Sequence, residues 1–122
     1  MREKDAAAVV NMDVQRAIFP SHLFGGTFMT LTAYYQPVGR FDATTASQHE
    51  AALLLLLTGD ANTVALDFSK IEFLSSAGLR VLLVTANAAE KKGGRLQLSG
   101  ANAVIREVIL TVGFDDIVHL QD

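Results

Sequence analysis

Met12, Val14, Arg16 and Ile18 alternate with Asp13, Gln15, Ala17 and Phe19, an imperfect period of two that predicts a strand over Met12–Phe19. Turn formers bracket Pro20–Gly26, and Thr27–Val38 beyond them is rich in Thr, Tyr, Phe and Val, predicting a second strand antiparallel to the first. Pro37 has no N–H to give to a ladder, so it belongs near the strand's end or on a free edge. After Gly39, Arg40 and Phe41, the polar set Asp42, Thr44, Thr45 and Ser47 offers N-caps to a helix that runs to about Leu57 and stops at Gly59. At ~100° per residue the consecutive leucines Leu53–Leu57 cover more than half of that helix's circumference, so one core face cannot take them all. Some leucine surface is left over, and a weak homodimer is expected from it.

Thr63–Phe68 is short, apolar and β-branched at its start, with Gly59, Asp60 and Asn62 before it and Ser69 after, as a buried parallel strand would be. Ile71–Leu74 then leads through Ser75 and Ser76 into a helix over Ala77–Lys91. In it Leu79, Leu82, Leu83, Ala86 and Glu90 fall on helical spacing, Lys91 and Lys92 suit the negative end, and Gly93 and Gly94 stop it. Arg95–Leu98 alternates as a strand, Asn102–Val112 repeats apolar positions at helical spacing up to Gly113, and Ile117–Leu120 reads as a last strand.

The order ββαβαβαβ predicts a single α/β domain: a mixed, mostly parallel sheet with an N-terminal antiparallel hairpin, three to four helices and right-handed crossovers. Residues 1–11 read as a loose lead-in and residues 12–122 as the domain. In such sheets, sites form where the carboxyl ends of strands lead into helix N-termini, and the Ser75–Ser76 turn sits at such a place.

Composition narrows the chemistry. With 122 residues, 50% of them hydrophobic, the chain can bury one sizeable core without staples. It has no cysteine, which excludes thiol nucleophiles, disulfides and zinc–thiolate clusters and is compatible with the cytoplasmic setting expected here. Ten basic and thirteen acidic residues are scattered, with no Lys/Arg stripe for nucleic acid. The apolar run Ala51–Leu57 falls far short of the roughly 20 residues a bilayer span takes.

Ser75 and Ser76 stand directly ahead of a helix, followed by the small residues Ala77 and Gly78. A hydroxyl there can serve as a plain N-cap, or the same exposed N–H groups and positive dipole end can stabilise a phosphate carried by a serine. A catalytic serine would need the Gly-x-Ser-x-Gly elbow, which is lacking, and none of His22, His49 and His119 lies in a context that marks a base. No enzyme activity and no cofactor are expected. Gly93 and Gly94 follow a helix instead of preceding one, the wrong order for a phosphate loop, and no Gly-x-x-x-x-Gly-Lys run exists to bind ATP. Asp42 and Asp67 each read as turn acceptors at strand ends on the rim that carries Ser76. With no obvious third ligand, they are weak grounds for a metal.

Gly39-Arg40-Phe41-Asp42-Ala43, Ala65-Leu66-Asp67-Phe68-Ser69 and above all Ile71–Leu83, with its core Ser75-Ser76-Ala77-Gly78-Leu79-Arg80, resemble the successive signature segments of STAS domains. Gly93–Leu98, Val104–Val108 and Val112-Gly113-Phe114 continue the likeness, which covers roughly residues 12–120. The type it is most similar to is the anti-sigma factor antagonist. The resemblance implies a protein that, unmodified, binds an anti-sigma factor which is also a serine kinase of the histidine-kinase-like ATPase fold. Phosphorylation ends that binding and a serine phosphatase restores it. The commonest loop of the family reads Asp-Ser-Ser/Thr-Gly-Leu. Here Ser75 takes the aspartate's place and Ala77 the third position, which makes Ser76 the implied phosphoacceptor and Ser75 the alternative. The implied partner face comprises Asp42, Ser75, Ser76, Ala77, Gly78 and the side of the following helix that carries Arg80, Val81 and Val84. The competing reading is a STAS scaffold, or a regulatory subunit of a signalling or transporter complex, in which Ser76 is only a cap.

Overall fold

A computed structural model describes residues 9–13 and 31–121. Strand β1, Val9–Asp13, pairs antiparallel with β2, Thr32–Gln36, and β2 begins the parallel part of the sheet. The opening hairpin is therefore present, but its first strand starts earlier than the alternation at Met12–Phe19 suggests. Val9, Val10 and Asn11, expected in a lead-in, belong to the strand, while Val14–Phe19 and Thr27–Thr30 lie outside the described residues. The main sheet runs β1, β2, then β4 (Thr63–Asp67), β6 (Leu96–Ser99) and β7 (Val118–Leu120), with every pair after the first parallel. Pro37 follows directly on the last residue of β2, where a missing N–H breaks no ladder bond.

Helices α1 (Ala46–Leu56), α2 (Ser76–Lys91) and α3 (Ala103–Thr111) alternate with these strands, and a 3-10 turn at Phe114–Asp116 precedes β7. The core is built from Val64, Leu66, Leu96, Leu98 and Val118 of the parallel strands, closed by Leu53 of α1, Val81, Leu82, Ala86 and Ala89 of α2, and Ile105 and Ile109 of α3. Burying a side chain of valine or leucine size contributes roughly 1.5–3 kcal/mol. The leucine run of α1 divides as its crowding requires: Leu53 and Leu57 are buried, whereas Leu55 is 70% exposed. Lys92, just past α2, donates from Nζ to the carbonyls of Leu57 and Gly59, each at 2.6 Å, so the C-terminal ends of α1 and α2 are clipped together. Gly93, at φ +82, turns the chain out of α2 in the left-handed conformation that ends so many helices.

A second, smaller sheet is absent from the sequence-based expectation. Gly39–Phe41 (β3) and Ile71–Leu74 (β5) pair in parallel as a two-stranded ribbon. Three or four residues are too few to show a period, so neither segment announces itself as a strand. Each runs directly into the start of a helix, β3 into α1 and β5 into α2, and the two helices pack on each other.

Candidate functional site

The ribbon joins two turns that lie far apart in sequence. The Ser75 N–H donates to the Phe41 carbonyl at 3.1 Å, so the residue before Asp42 holds the residue before Ser76. Phe41 itself is fully buried, its ring stacked on His49 of α1 (centroids 4.5 Å apart, 11° between planes) and 5.0 Å from Phe68. Below the turn, Gly78 packs so closely that a Cβ in its place would overlap the Phe41 carbonyl oxygen and stand 2.7 Å from Leu74 Cδ1 and 2.9 Å from Phe41 Cδ1. A glycine is needed there because nothing larger lets the first turn of α2 lie against β3.

Ser75 is the N-cap of α2: in extended conformation (φ −97, ψ 175), its Oγ accepts the Gly78 N–H at 3.2 Å. The plain-cap reading of the serine pair thus belongs to Ser75. Ser76 is the first residue of the helix and is exposed. Ala77 is half-buried and Gly78 buried.

Asp42 closes the neighbouring turn. Its Oδ1 accepts from the Thr44 hydroxyl at 2.6 Å and the Thr44 N–H at 3.0 Å, and its Oδ2 accepts from Arg40 Nε at 2.7 Å. The Thr44 hydroxyl and then the Arg40 guanidinium hold its carboxyl down at about 2. The backbone carbonyl of Asp42 receives the Thr45 and Ala46 N–H groups as α1 begins. Asp67, at the end of β4, is likewise occupied, by Gln36 Nε2 and the Ser69 N–H, both at 2.8 Å. Among the described residues no group of three or more His, Asp or Glu side chains could hold a metal ion.

Along α2 the facing differs from the expectation in one respect that matters for the site. Val81, expected on the outer side, is 1% exposed and belongs to the core, whereas Leu79 and Leu83, expected inside, are only half-buried. The buried stripe is Gly78, Val81, Leu82, Thr85, Ala86 and Ala89. Its small members let the helix sit close to the ribbon and sheet, and this turns Val81 inward. Arg80 is exposed and Val84 half-buried, so these two remain on the accessible side.

Two residues beside the rim carry no sequence signal of their pairing. The Arg40 guanidinium lies over the ring of Phe73, 4.4 Å from its centroid, while its Nε holds Asp42, and both Arg40 and Phe73 are exposed. Only the parallel pairing of β3 with β5 brings them together. Deeper in, the Tyr35 hydroxyl and His49 Nδ1 are 2.8 Å apart, in a pair buried on both sides. Burial pushes the tyrosine up to about 12 and the histidine below its ordinary value, so His49 is neutral near pH 7 and is a satisfied core histidine.

Residues 38–120, which include both turns and all three helices, match a family model described as "Mlab, STAS domain". The chain belongs to the STAS domain family. Among relatives of this STAS domain is BtrV of Bordetella bronchiseptica, whose name proposes an anti-sigma factor antagonist. It is 34% identical over 76 residues, which are 62% of this chain and 66% of BtrV. Among solved structures, the anti-sigma factor antagonist SpoIIAA in its unphosphorylated form superposes with a TM-score of 0.62 at 22% identity, over 75% of this chain and 79% of that one. A sulfate transporter family protein from Wolinella succinogenes superposes with a TM-score of 0.61 at 19% identity, over 71% and 75%. These likenesses establish a SpoIIAA-like α/β fold. Within this STAS domain the Ser75–Gly78 turn and the Gly39–Asp42 turn form one rim, and none of the described helices is long and apolar enough to cross a membrane.

Proposed function

We propose that this STAS domain is an anti-sigma factor antagonist that binds, in its unmodified form, an anti-sigma factor with serine-kinase activity and a histidine-kinase-like ATPase fold. Phosphorylation of Ser76 ends the binding, and a serine phosphatase restores it. The observation that carries this reading is the division of labour between the two serines: Ser75 is spent on capping α2, while Ser76 stands exposed at the helix's first position. A kinase can reach Ser76 without unfolding anything. A group of charge about −1.5 to −2 added there changes the surface a partner meets while the Phe41–Ser75–Gly78 anchor beneath stays packed. The name of BtrV supports the same reading, as does SpoIIAA, whose fold is shared and which is known in a phosphorylated form.

On this reading Ser75, Ser76, Ala77, Arg80 and Val84 face the partner. Asp42 and Gly78 act from beneath as positioning residues, and buried Val81 takes no direct part. The test is intact-mass and fragment analysis after incubation with ATP and the histidine-kinase-like anti-sigma proteins of the source organism. One added phosphate that disappears in Ser76→Ala is the expected result. If none of those kinases adds phosphate, the switch reading fails. In that event the exposed Leu55 favours the second reading, a scaffold or regulatory subunit of a transporter complex, and co-purification with a membrane complex would then be expected.

A further inference from the structure

We infer that Arg80 is an internal clamp for a phosphate on Ser76, so that modification both adds negative charge to the rim and withdraws a cation from it. The inference rests on the reading of Ser76 as the modified hydroxyl. Ser76 and Arg80 are both within α2 and four residues apart, which places their side chains on the same face one turn from each other, with Cβ atoms roughly 5–6 Å apart. Both are exposed. The helix neighbours of Arg80 at three and four residues' distance are Ser76, Ala77, Leu83 and Val84, and of these only Ser76 can acquire a charge. Among the described residues Arg80 is in no ion pair, whereas Arg40, the other guanidinium near the rim, is already committed to Asp42 and to the ring of Phe73. An anion arriving on Ser76 therefore meets one uncommitted guanidinium within reach of its own helix. The order is the favourable one, with the negative group on the N-terminal side of the positive group. A planar guanidinium suits phosphate oxygens better than an ammonium does, because it can donate two parallel N–H bonds.

In the unmodified protein Arg80 is available to a partner with an acidic surface. With phosphate on Ser76 it turns back onto its own helix. Loss of binding then has two causes of the same sign, repulsion by the new anion and removal of the cation that would have met the partner's carboxylates.

The test uses the full chain with phosphoserine encoded at position 76, alone and combined with Arg80→Gln or Arg80→Lys, followed by phosphorus NMR against pH. A free phosphoserine has a second pKa of about 6. With Arg80 in place that value should lie below the Arg80→Gln value by about 0.15–0.4 of a unit, the size expected from a pair at this spacing. Arg80→Lys should recover part of the gap, and high salt should shrink it. Identical titration curves for the parent phosphoprotein and its Arg80→Gln variant would overturn the clamp. Both variants change an exposed helix position to another good helix former, so folding is not at stake. Because the phosphate is encoded, the measurement needs no kinase. A preserved gap together with a failed kinase assay would sink the switch reading and leave the clamp standing, and the reverse result would do the opposite.

Discussion

Gly78→Ala is the substitution that most directly tests how the rim is built. An alanine Cβ at this position overlaps the Phe41 carbonyl oxygen, and a backbone carbonyl cannot swing aside as a side-chain tip can. Either α2 or β3 must move, and the movement strains the bond from the Ser75 N–H to that carbonyl. Overpacking of a close-packed contact costs about 1–3 kcal/mol, and the lost hydrogen bond about 1 more. Against this, alanine is the better helix former by about 1 kcal/mol, less in the first turn. The balance is a loss of about 2 kcal/mol, or a drop in Tm of roughly 6–10 °C for a chain of this length. Thermal unfolding followed by circular dichroism measures it, with Gly59→Ala as the control, since a Cβ there meets nothing within 4 Å and the change should be nearly silent. If Gly78→Ala were as stable as the parent, helix propensity would outweigh the contact and the close seating of α2 on β3 would not be what positions the serine pair.

Ser75→Ala should cost about 1 kcal/mol in urea unfolding through loss of the cap to Gly78, and Ser75→Asp should restore most of it; a silent Ser75→Ala would mean the cap contributes nothing. His49 supplies a pH dependence. Burial lowers its folded-state pKa, so the unfolded chain takes up the proton first, and stability should fall as pH drops through about 6.5, levelling off only once the folded form also titrates. Unfolding free energies measured from just above neutrality down into the mildly acidic range should slope less in His49→Gln, and an unchanged slope would remove His49 as the source.

Much of this architecture is legible in the chain. Gly93 and Gly94 mark the end of α2, the polar cluster from Asp42 to Ser47 marks the start of α1, and the five adjacent leucines foretell the exposed Leu55. The serine turn is legible too, because a hydroxyl pair before a helix has few other uses. The ribbon of β3 and β5 is not, since strands of three and four residues carry no period and their partnership is non-local. The Arg40–Phe73 and Tyr35–His49 contacts stay hidden for the same reason: each joins segments well separated in the chain. Val81 is hard to place from sequence because the size of Leu79 and Leu83 outweighs, on paper, the close approach that Gly78, Ala86 and Ala89 permit. Small residues, by drawing a helix near, decide its facing as firmly as large ones do.

The Lys92 clip has an electrical consequence. It ties the C-terminal ends of α1 and α2 together, and the ribbon starts both helices from one rim, so their peptide dipoles run side by side in the same sense. At the far end the ammonium of Lys92 offsets the negative pole. At the rim, neither helix has an acidic residue in its first turn, and the carboxylate of Asp42, ahead of α1, is already shared with Arg40. The two helices thus form a pair of parallel dipoles whose negative end is met by a lysine and whose positive end, where Ser76 stands, has no free acidic side chain to match it. A negative charge placed on that serine would complete the compensation, so the modified form should be no less stable than the unmodified one. The signal would then be written on the surface without loosening the fold beneath it.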